Sequence, residues 1–204
     1  FNILFLIFFN GVFIMKIILA SSSPRRKAIL ENAGYQVEVR EPKVDENLRI
    51  KLPPIDLVMK LALLKANSVF TQADDEVVIG ADTIVCIDGK NVGKPQNVEQ
   101  ARSLLRQLSG RLHRVYTGVA ILSKERQETF FVQAKVNFMK LDEDLINRYI
   151  ETGEPFDKAG GYAIQGKGSI LVESIDGDYY GVVGLPIAQL AKRLERDYNI
   201  SALS

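Results

Sequence analysis

The chain has 204 residues, 47% of them hydrophobic and 25% charged, a balance and a length typical of one globular domain with its own core. Its 26 basic residues nearly equal its 25 acidic ones, and the formal net charge of +1 excludes a general electrostatic attraction to nucleic acid. The single cysteine, Cys86, excludes an internal disulfide, and its apolar surroundings predict a buried, unreactive thiol.

The first 14 residues form an uncharged, apolar stretch. This stretch is shorter than the roughly 20 residues that a membrane-spanning helix needs. It also lacks the basic region that precedes the apolar part of a secretory signal. The sequence therefore predicts an N-terminal extension over 1–14 that lies outside the fold, followed by a single domain over 15–204. A membrane anchor is the alternative interpretation of the extension.

From Met15 onward, the hydrophobic pattern changes repeatedly between the strand period and the helix period. Glycines mark several boundaries, as at Gly34 after the first helix and in the Asp88-Gly89 turn after the most apolar strand. Strands mixed with helices and hairpins predict an α/β fold with a mixed sheet. In chain order, the predicted elements are a strand over 16–20, a helix over 24–33, a strand over 35–40, a helix over 55–71, a strand over 77–87, a helix over 98–108, strands over 115–122 and 129–138, a helix over 142–151, a strand over 169–175 and a helix over 185–198.

The turn after the first strand reads SSSPRRK and runs from Ser21 to Lys27. Free N–H groups and the positive end of the helix dipole favour an anion at such a helix start. Arg25 and Arg26 add cations where the dipole disfavours them, and serine hydroxyls and guanidinium groups both suit phosphate oxygens. The pattern therefore favours a phosphate site, with a solvated basic patch as the alternative.

Asp82 interrupts the most apolar strand of the chain. A buried carboxylate without a partner is unfavourable, so we expect it to be paired, hydrogen-bonded or bound to a metal. At the end of a strand it would point into a cleft, and Gly80 and Ala81 would leave room for a close approach. A structural aspartate that caps a turn or a helix is the alternative, and we favour the functional interpretation.

Three further charged segments are weaker candidates. Lys65 lies on or beside the inner face of its predicted helix, where the usual arrangement is a buried stem with the amine in water. Lys94 follows the hairpin that leaves the Asp82 strand, and a lysine in such a turn is normally only solvated. Asp45 and Glu46 lie in a long polar loop, where paired acids are usually surface charge but also suit Mg²⁺.

The glycine-rich segment over 153–168 permits a ligand to approach the backbone closely, and its Gln165 offers an amide that can recognise a base edge. A purely structural loop is the alternative. His113 is the only histidine, and it is predicted to be a half-exposed strand residue. With no second histidine or cysteine nearby, a zinc site or a Ser-His-Asp triad is not expected.

Several segments, taken in order and spacing from Met15 to about Tyr198, resemble the Maf family of nucleotide pyrophosphatases. The segments that carry the resemblance are LASSSPRR, VDE, ALLKA, VIGADTIV, GKPQ, LSGRLHRVYTGV, GEPFDKAGGYAIQGKG and YYGVVGLP. The resemblance implies an α/β fold with an elongated mixed β-sheet flanked by helices and a deep cleft between two lobes, similar to inosine triphosphate pyrophosphatases. It also implies a divalent metal cation, Mg²⁺ or Mn²⁺, a cytoplasmic location and a homodimer. No stable nucleic-acid partner is expected, because the net charge gives no general attraction to nucleic acid, and no membrane association is expected.

The resemblance also implies roles for individual residues. Asp82 matches the family's proton acceptor, and Asp82 with Glu46 matches its metal site. The positions that match its triphosphate-binding residues are Ser21, Arg25, Arg26, Lys65 and Lys94. The positions that match its specificity residues are Arg25, Thr83 and Gln165, and the string DKAGGYAIQG resembles the subgroup that acts on dTTP and UTP.

The hypothesis at this point is a pyrophosphatase that converts a nucleoside triphosphate to the monophosphate and pyrophosphate. Two other classes stay open. One is a nucleic-acid-binding regulator of cell division that uses the basic turn after the first strand, although the broad basic face of such proteins is absent from the sequence. The other is a structural protein tethered to a membrane by residues 1–14.

Overall fold

The computed structural model describes residues 15–44 and 52–203. The strands are β1 Lys16–Ala20, β2 Val37–Arg40, β3 Glu76–Ile87, β4 Lys90–Val92, β5 Leu112–Leu122, β6 Gln127–Phe138 and β7 Val172–Gly177. They form one mixed sheet in the order β2-β1-β3-β5-β6-β7, and β4 pairs with β3 off this path. β1 is parallel to β2 and β3, whereas the remaining pairs are antiparallel.

Helices flank this sheet, so the predicted α/β class with a mixed sheet is confirmed. Within the described ranges, no helix is both long and apolar enough to cross a membrane. The helices are α1 Pro24–Asn32, α2 Pro54–Val69, α3 Val98–Leu108, α4 Glu143–Glu151, α5 Tyr179–Val183 and α6 Ile187–Tyr198. Short 3₁₀ helices lie at Glu154–Asp157, Ala159–Gly161 and Lys167–Leu171.

The sequence-based prediction was wrong in the region between the glycine-rich segment and the last helix. The strand predicted over 169–175 begins as a 3₁₀ helix, and β7 begins only at Val172. The short helix α5 was not predicted, because its sequence YYGVV consists of residues that favour strands and turns. Asp178 caps this helix by accepting a hydrogen bond from the backbone N–H of Gly181 at 2.9 Å.

The long strand β3 changes neighbours halfway along its length. β1 pairs with β3 as far as Gly80, and β4 begins to pair with β3 only at Val85. Between these two points β3 is paired with β5 on its other side, and the stretch includes Asp82 opposite Gly118. The sheet therefore opens at residues 81–84. Asp82 lies at this opening in the middle of β3, inside the strand that the sequence predicted over 77–87.

Buried apolar side chains form two main clusters that correspond to the two expected lobes. One cluster packs α1 and α6 against the first half of β3 and includes Leu30, Ile79 and Leu194. The other packs α3 and α4 against the second half of β3 and includes Val85 and Leu105. A smaller cluster lies between α2 and the opposite face of the first half of the sheet. The opening of the sheet lies between the two lobes.

Two glycines bring α2 into direct contact with the sheet. A Cβ atom at Gly80 would lie 2.3 Å from the backbone oxygen of Ala62, and one at Gly118 would lie 2.5 Å from that of Val58. No side chain fits between helix and strand at either point. The room at Gly80, which the sequence suggested for a ligand, is therefore occupied by α2. This close contact brings Lys65 of α2 over Asp82.

Candidate active site

A cavity of about 760 Å³ lies at the opening of the sheet. Its walls combine the turn before α1, the middle of β3, the inner face of α2 and the glycine-rich segment. Every predicted site residue that the structure describes lines this cavity, namely Ser21, Arg25, Arg26, Lys65, Asp82, Thr83, Lys94 and Gln165. Asp45 and Glu46 lie outside the described residues.

The acid of the cavity is paired with a buried lysine. Lys65 Nζ donates a hydrogen bond to Asp82 Oδ1 at 2.7 Å. Asp82 is only 7% exposed and Lys65 only 6% exposed, so each charge compensates the other away from bulk water. The interpretation of Lys65 as a side chain that reaches into solvent is therefore wrong. The sequence did not predict this pair, because it depends on the contact of α2 with Gly80.

Arg26 connects α1 to two other parts of the cavity wall. Its Nε donates to the backbone oxygen of Gly184 at 2.8 Å, and its two terminal nitrogens donate to Ser21 Oγ at 3.3 Å and to Thr83 Oγ1 at 3.2 Å. The planar guanidinium holds these groups in one fixed arrangement. Arg26 thus fixes the start of α1 relative to β3 and to the turn after α5.

The N-terminus of α1 faces the same cavity. Ser23 occupies the N-cap position, but its side chain makes no capping hydrogen bond, and the first turn contains no acidic residue. The backbone N–H of Ser23 donates to Ser21 Oγ at 3.2 Å, which holds the serine turn in place. A helix start with basic instead of acidic neighbours is suited to a bound anion.

Asp157 and Lys158 also line the cavity, and sequence reasoning did not single them out. The two side chains form an ion pair, and Lys158 Nζ also donates to the backbone oxygen of Glu154 at 3.4 Å. Burial raises the pKa of Asp157, but the hydrogen bond and the charge of Lys158, with a smaller contribution from the charge of Arg25, outweigh it, so the pKa lies below its usual value. Arg25 therefore acts on Asp157 across the cavity, although the two are distant in sequence.

The glycine-rich segment that carries Gln165 is organised by Glu154. The Glu154 carboxylate accepts hydrogen bonds from the backbone N–H groups of Lys167 and Gly168 at 3.0 and 2.9 Å, and from the Tyr149 hydroxyl at 3.1 Å. Gly166 adopts a φ of +96°, and a Cβ there would lie 2.9 Å from the Glu154 carboxylate. The loop after Gln165 is therefore held tightly, and this places Gln165 at the cavity wall.

His113 is buried, with an exposed fraction of 1%, and not half-exposed as predicted. Its position on β5 shares the inward-facing side with Val115. The ring nitrogen Nε2 lies 2.8 Å from the hydroxyl of Tyr162, which lines the cavity. Burial lowers the pKa of His113 to about 4, so the ring is neutral near pH 7. The histidine thus supports Tyr162 from within the core.

The described residues of the cavity fit a hard divalent cation in one form of binding. Across 15–44 and 52–203, no group of three His, Cys, Asp or Glu residues is arranged to hold a metal ion. Mg²⁺ is commonly bound through one or two carboxylates together with substrate phosphates and water, without a cage of protein ligands. The carboxylate of Asp82 at the edge of a cavity rich in cations matches that form of binding, in which the phosphates supply further oxygens.

Comparisons with known proteins identify the family of this chain. The solved structure of the Ham1 protein of Staphylococcus aureus is 14% identical, with a TM-score of 0.44 over 60% of this chain and 71% of that chain. A dTTP/UTP pyrophosphatase of Bacillus cereus is 51% identical over 89% of this chain and 95% of its own length. One from Bacillus mycoides is 52% identical with the same coverage. The Maf-like protein family matches residues 16–197. With residues 16–197 matched by the family and about half of the aligned residues identical in such relatives, this chain belongs to the Maf family.

Proposed function

We propose that this chain hydrolyses dTTP and UTP to the nucleoside monophosphates and pyrophosphate. The curated relatives that share half of its residues are named dTTP/UTP pyrophosphatases. The observation that carries the proposal is the position of Asp82, a buried acid at the edge of a cavity that is also lined by Arg25, Arg26 and Lys94. An acid and several cations around one cavity suit hydrolysis of a polyanion.

The cationic side of the cavity binds the phosphates in this proposal. Arg25 and Lys94 neutralise phosphate oxygens, and the start of α1 adds N–H groups and the helix dipole. Arg26 holds Ser21 in position for the same contacts, and it also donates a hydrogen bond to Thr83. As the pyrophosphate leaves, these fixed charges stabilise the negative charge that accumulates on it, and electrostatic positioning of this kind dominates phosphoryl-transfer catalysis.

Asp82 accepts the proton of the attacking water in this proposal. Lys65 holds Oδ1 at 2.7 Å, which fixes the orientation of the carboxylate and leaves Oδ2 as the oxygen for the water. α2 determines this geometry because its backbone lies directly against Gly80. The role of Lys65 is therefore to orient Asp82 as well as to add positive charge near the triphosphate.

Asp82 and Glu46 are the residues that would hold Mg²⁺ or Mn²⁺, and the bound cation would polarise the α-phosphate. A chelator in the assay tests this requirement, since pyrophosphate release should stop on chelation and return when Mg²⁺ or Mn²⁺ is added in excess. The homodimer and the cytoplasmic location stay predictions. Size-exclusion chromatography with light scattering tests the first, and cell fractionation tests the second.

Gln165 is the residue that we assign to recognition of the base. Its amide N–H groups can donate to the carbonyl oxygens shared by uracil and thymine. The carboxylate of Glu154 fixes the loop that follows Gln165. Thr83 and Arg25 line the same cavity and complete the predicted specificity set.

An Asp82→Asn variant tests the proposed function. The amide keeps the shape of the side chain but is not a proton acceptor, so pyrophosphate release from dTTP and UTP should fall by about 10²- to 10⁴-fold. The matched control is Asp176→Asn, which removes an exposed carboxylate that pairs with Lys135 on β6. The control should keep wild-type activity.

Thermal unfolding of both variants separates lost chemistry from lost structure, because Asp82→Asn also breaks the buried pair with Lys65. A folded Asp82→Asn variant that releases pyrophosphate at the wild-type rate would remove Asp82 from this role. A folded wild-type protein that hydrolyses no nucleoside triphosphate, with Mg²⁺ and with Mn²⁺, would reject the proposed function itself.

A further inference from the structure

Thr83 and Thr117 form a chain of hydrogen bonds that begins at the cavity and ends inside the protein. Arg26 donates to Thr83 Oγ1 at 3.2 Å, and the hydroxyls of Thr83 and Thr117 lie 2.8 Å apart. Thr117 Oγ1 in turn lies 2.7 Å from the backbone oxygen of Gly181 in α5. Thr117 is 1% exposed, whereas Thr83 is partly exposed and lines the cavity.

The chemistry of the two ends fixes the direction of every hydrogen bond in this chain. A backbone carbonyl only accepts, so the single hydrogen of the Thr117 hydroxyl points to Gly181. Thr117 Oγ1 then has no hydrogen left for Thr83, so Thr83 donates its own hydrogen to Thr117. A guanidinium only donates, so Arg26 uses one lone pair of Thr83 Oγ1.

One acceptor position therefore remains on the Thr83 hydroxyl, and no hydrogen remains for a ligand. Reversing the chain would place the lone pairs of Thr117 Oγ1 and of the Gly181 oxygen against each other at 2.7 Å in a buried position, which is strongly unfavourable. A phosphate or carbonyl oxygen of a ligand thus finds no donor at Thr83. An N–H or O–H group of a ligand finds an acceptor.

We propose that Thr117 is a specificity-determining positioning residue, because it fixes the Thr83 hydroxyl as an acceptor and so selects a hydrogen-bond donor on the nucleoside. The inference rests on the proposed function and adds a residue that lies outside the cavity wall. The N3–H of uracil and thymine is such a donor, whereas N3 of cytosine is an acceptor. The sugar hydroxyls carry the same donor chemistry, and the experiment below separates the two sources.

The test compares Thr117→Val with Thr117→Ser. Valine keeps the shape of threonine but removes the hydroxyl, so the Thr83 hydrogen is released and becomes available to a ligand acceptor. If the donor is the base, the ratio of kcat/KM for UTP to that for CTP should then fall by about threefold to tenfold. Serine keeps the hydroxyl and should keep the wild-type ratio. A purely structural defect would lower both rates together and leave the ratio unchanged.

Two substrate series identify the donor. If it is the base, N3-methyl-UTP should be hydrolysed more slowly than UTP by the wild-type protein, and this difference should shrink in Thr83→Val, which lacks the acceptor. If it is a sugar hydroxyl, the same pattern should appear between dUTP and 2′,3′-dideoxyuridine triphosphate. Either pattern supports the inference, and the absence of both overturns it.

Thr83→Val and Thr83→Ser provide a second route if Thr117→Val does not fold, because Thr83 is partly exposed and its replacement disturbs the core less. Thr83→Val should lose the discrimination and Thr83→Ser should retain it. Valine variants that all keep the wild-type ratio of UTP to CTP and the wild-type ratio of dUTP to the dideoxynucleotide overturn the inference but leave the proposed function intact. A wild-type protein without triphosphate hydrolysis rejects both.

Discussion

Burial determines the pKa of His113, which lies behind Tyr162 in the cavity wall. His113 contacts the rings of Phe138 and Tyr162 edge-on, at centroid distances of 5.0 and 5.4 Å. Burial lowers its pKa from 6.5 to about 4 in the folded protein. At pH values between these two pKa values, the unfolded chain binds a proton at His113 that the folded chain does not bind. The free energy of unfolding therefore falls as the pH is lowered through this window.

We predict that acidification from pH 6.5 to pH 4 removes up to about 3 kcal/mol of stability through His113, because each pKa unit corresponds to about 1.4 kcal/mol. Urea denaturation at several pH values measures the effect. The matched variant is His113→Gln, which keeps a polar group beside Tyr162 but does not titrate, and it should lack this pH dependence. Parallel curves for the two proteins between pH 4 and 6.5 would contradict the prediction.

Glu76 contributes to the pH dependence of stability in a lower pH range than His113. Glu76 accepts hydrogen bonds from Arg40 and Thr71, and these lower its pKa from 4.5 to about 2. A lowered carboxylate pKa stabilises the fold above the unfolded-state value, and this stabilisation is lost as the pH falls towards 2. The loss should remain in His113→Gln, so the two contributions separate by their pH ranges.

Single residues were predictable from the sequence where their chemistry conflicts with their surroundings. Asp82 interrupts an apolar strand, and Arg25 and Arg26 lie where a helix dipole disfavours cations. Thr117 gave no such signal, because a threonine in a strand is ordinary. Its importance depends on the hydroxyl of Thr83 and the oxygen of Gly181, which the fold brings to it from other elements.

At the scale of elements, the contact between α2 and the sheet determines the geometry of the acid. A Cβ at Gly80 would meet the Ala62 oxygen at 2.3 Å and the Ala66 nitrogen at 2.8 Å, and both are backbone atoms that do not rotate away. Lys65 lies between these two residues on the same helix, and it contacts Asp82 on the same strand. Any shift of α2 away from β3 therefore also moves Lys65 away from Asp82.

We predict that Gly80→Ala lowers the free energy of unfolding by about 1–3 kcal/mol or more, because the added methyl group overpacks a closed contact. Pyrophosphate release should fall as well, since the Asp82 carboxylate loses its fixed orientation. Gly93→Ala is the control for stability, because a Cβ at Gly93 has no atom within 4 Å in the described structure. Chemical denaturation should show no loss for this control. A Gly80→Ala variant as stable as the control would contradict the assigned contact.

Elements were predictable from the sequence where local signals agree with the tertiary fold. The helix predicted over 98–108 is α3, and Asn97 caps it by accepting a hydrogen bond from the Gln100 N–H at 2.9 Å. The region after the glycine-rich segment was less predictable. There the Glu154 carboxylate, from a distant part of the loop, determines where the backbone of Lys167 and Gly168 turns, and no local pattern encodes that contact.

At the scale of the whole molecule, the two lobes have separate apolar clusters but share their strands. β3 contributes Ile79 to the first cluster and Val85 to the second, and β5 pairs with β3 from Val78 to Cys86. Neither cluster keeps its strands in place if the other unfolds, because the same hydrogen-bonded ladder runs through both. We therefore expect the lobes to unfold together.

We predict a single unfolding transition that substitutions in either lobe displace. Leu194→Ala acts on the first cluster and Leu105→Ala on the second, and each should lower the free energy of unfolding by about 2–5 kcal/mol. The chain has no tryptophan, so tyrosine fluorescence, with Tyr198 in the first cluster and Tyr162 in the second, is followed beside far-UV circular dichroism. Two transitions, each displaced by only one of the variants, would instead identify independent lobes.

Cooperative unfolding has a consequence for the cavity, because its residues come from both lobes. Arg26 belongs to α1 in the first lobe, whereas Tyr162 packs in the second. If the lobes unfold together, these two walls of the cavity separate only in the global unfolding transition. Both leucine variants should then keep wild-type pyrophosphate release at temperatures well below their lowered midpoints, and lose it at the same temperature as their circular dichroism signal. Activity that disappears before the global transition would show that the lobes separate while each remains folded.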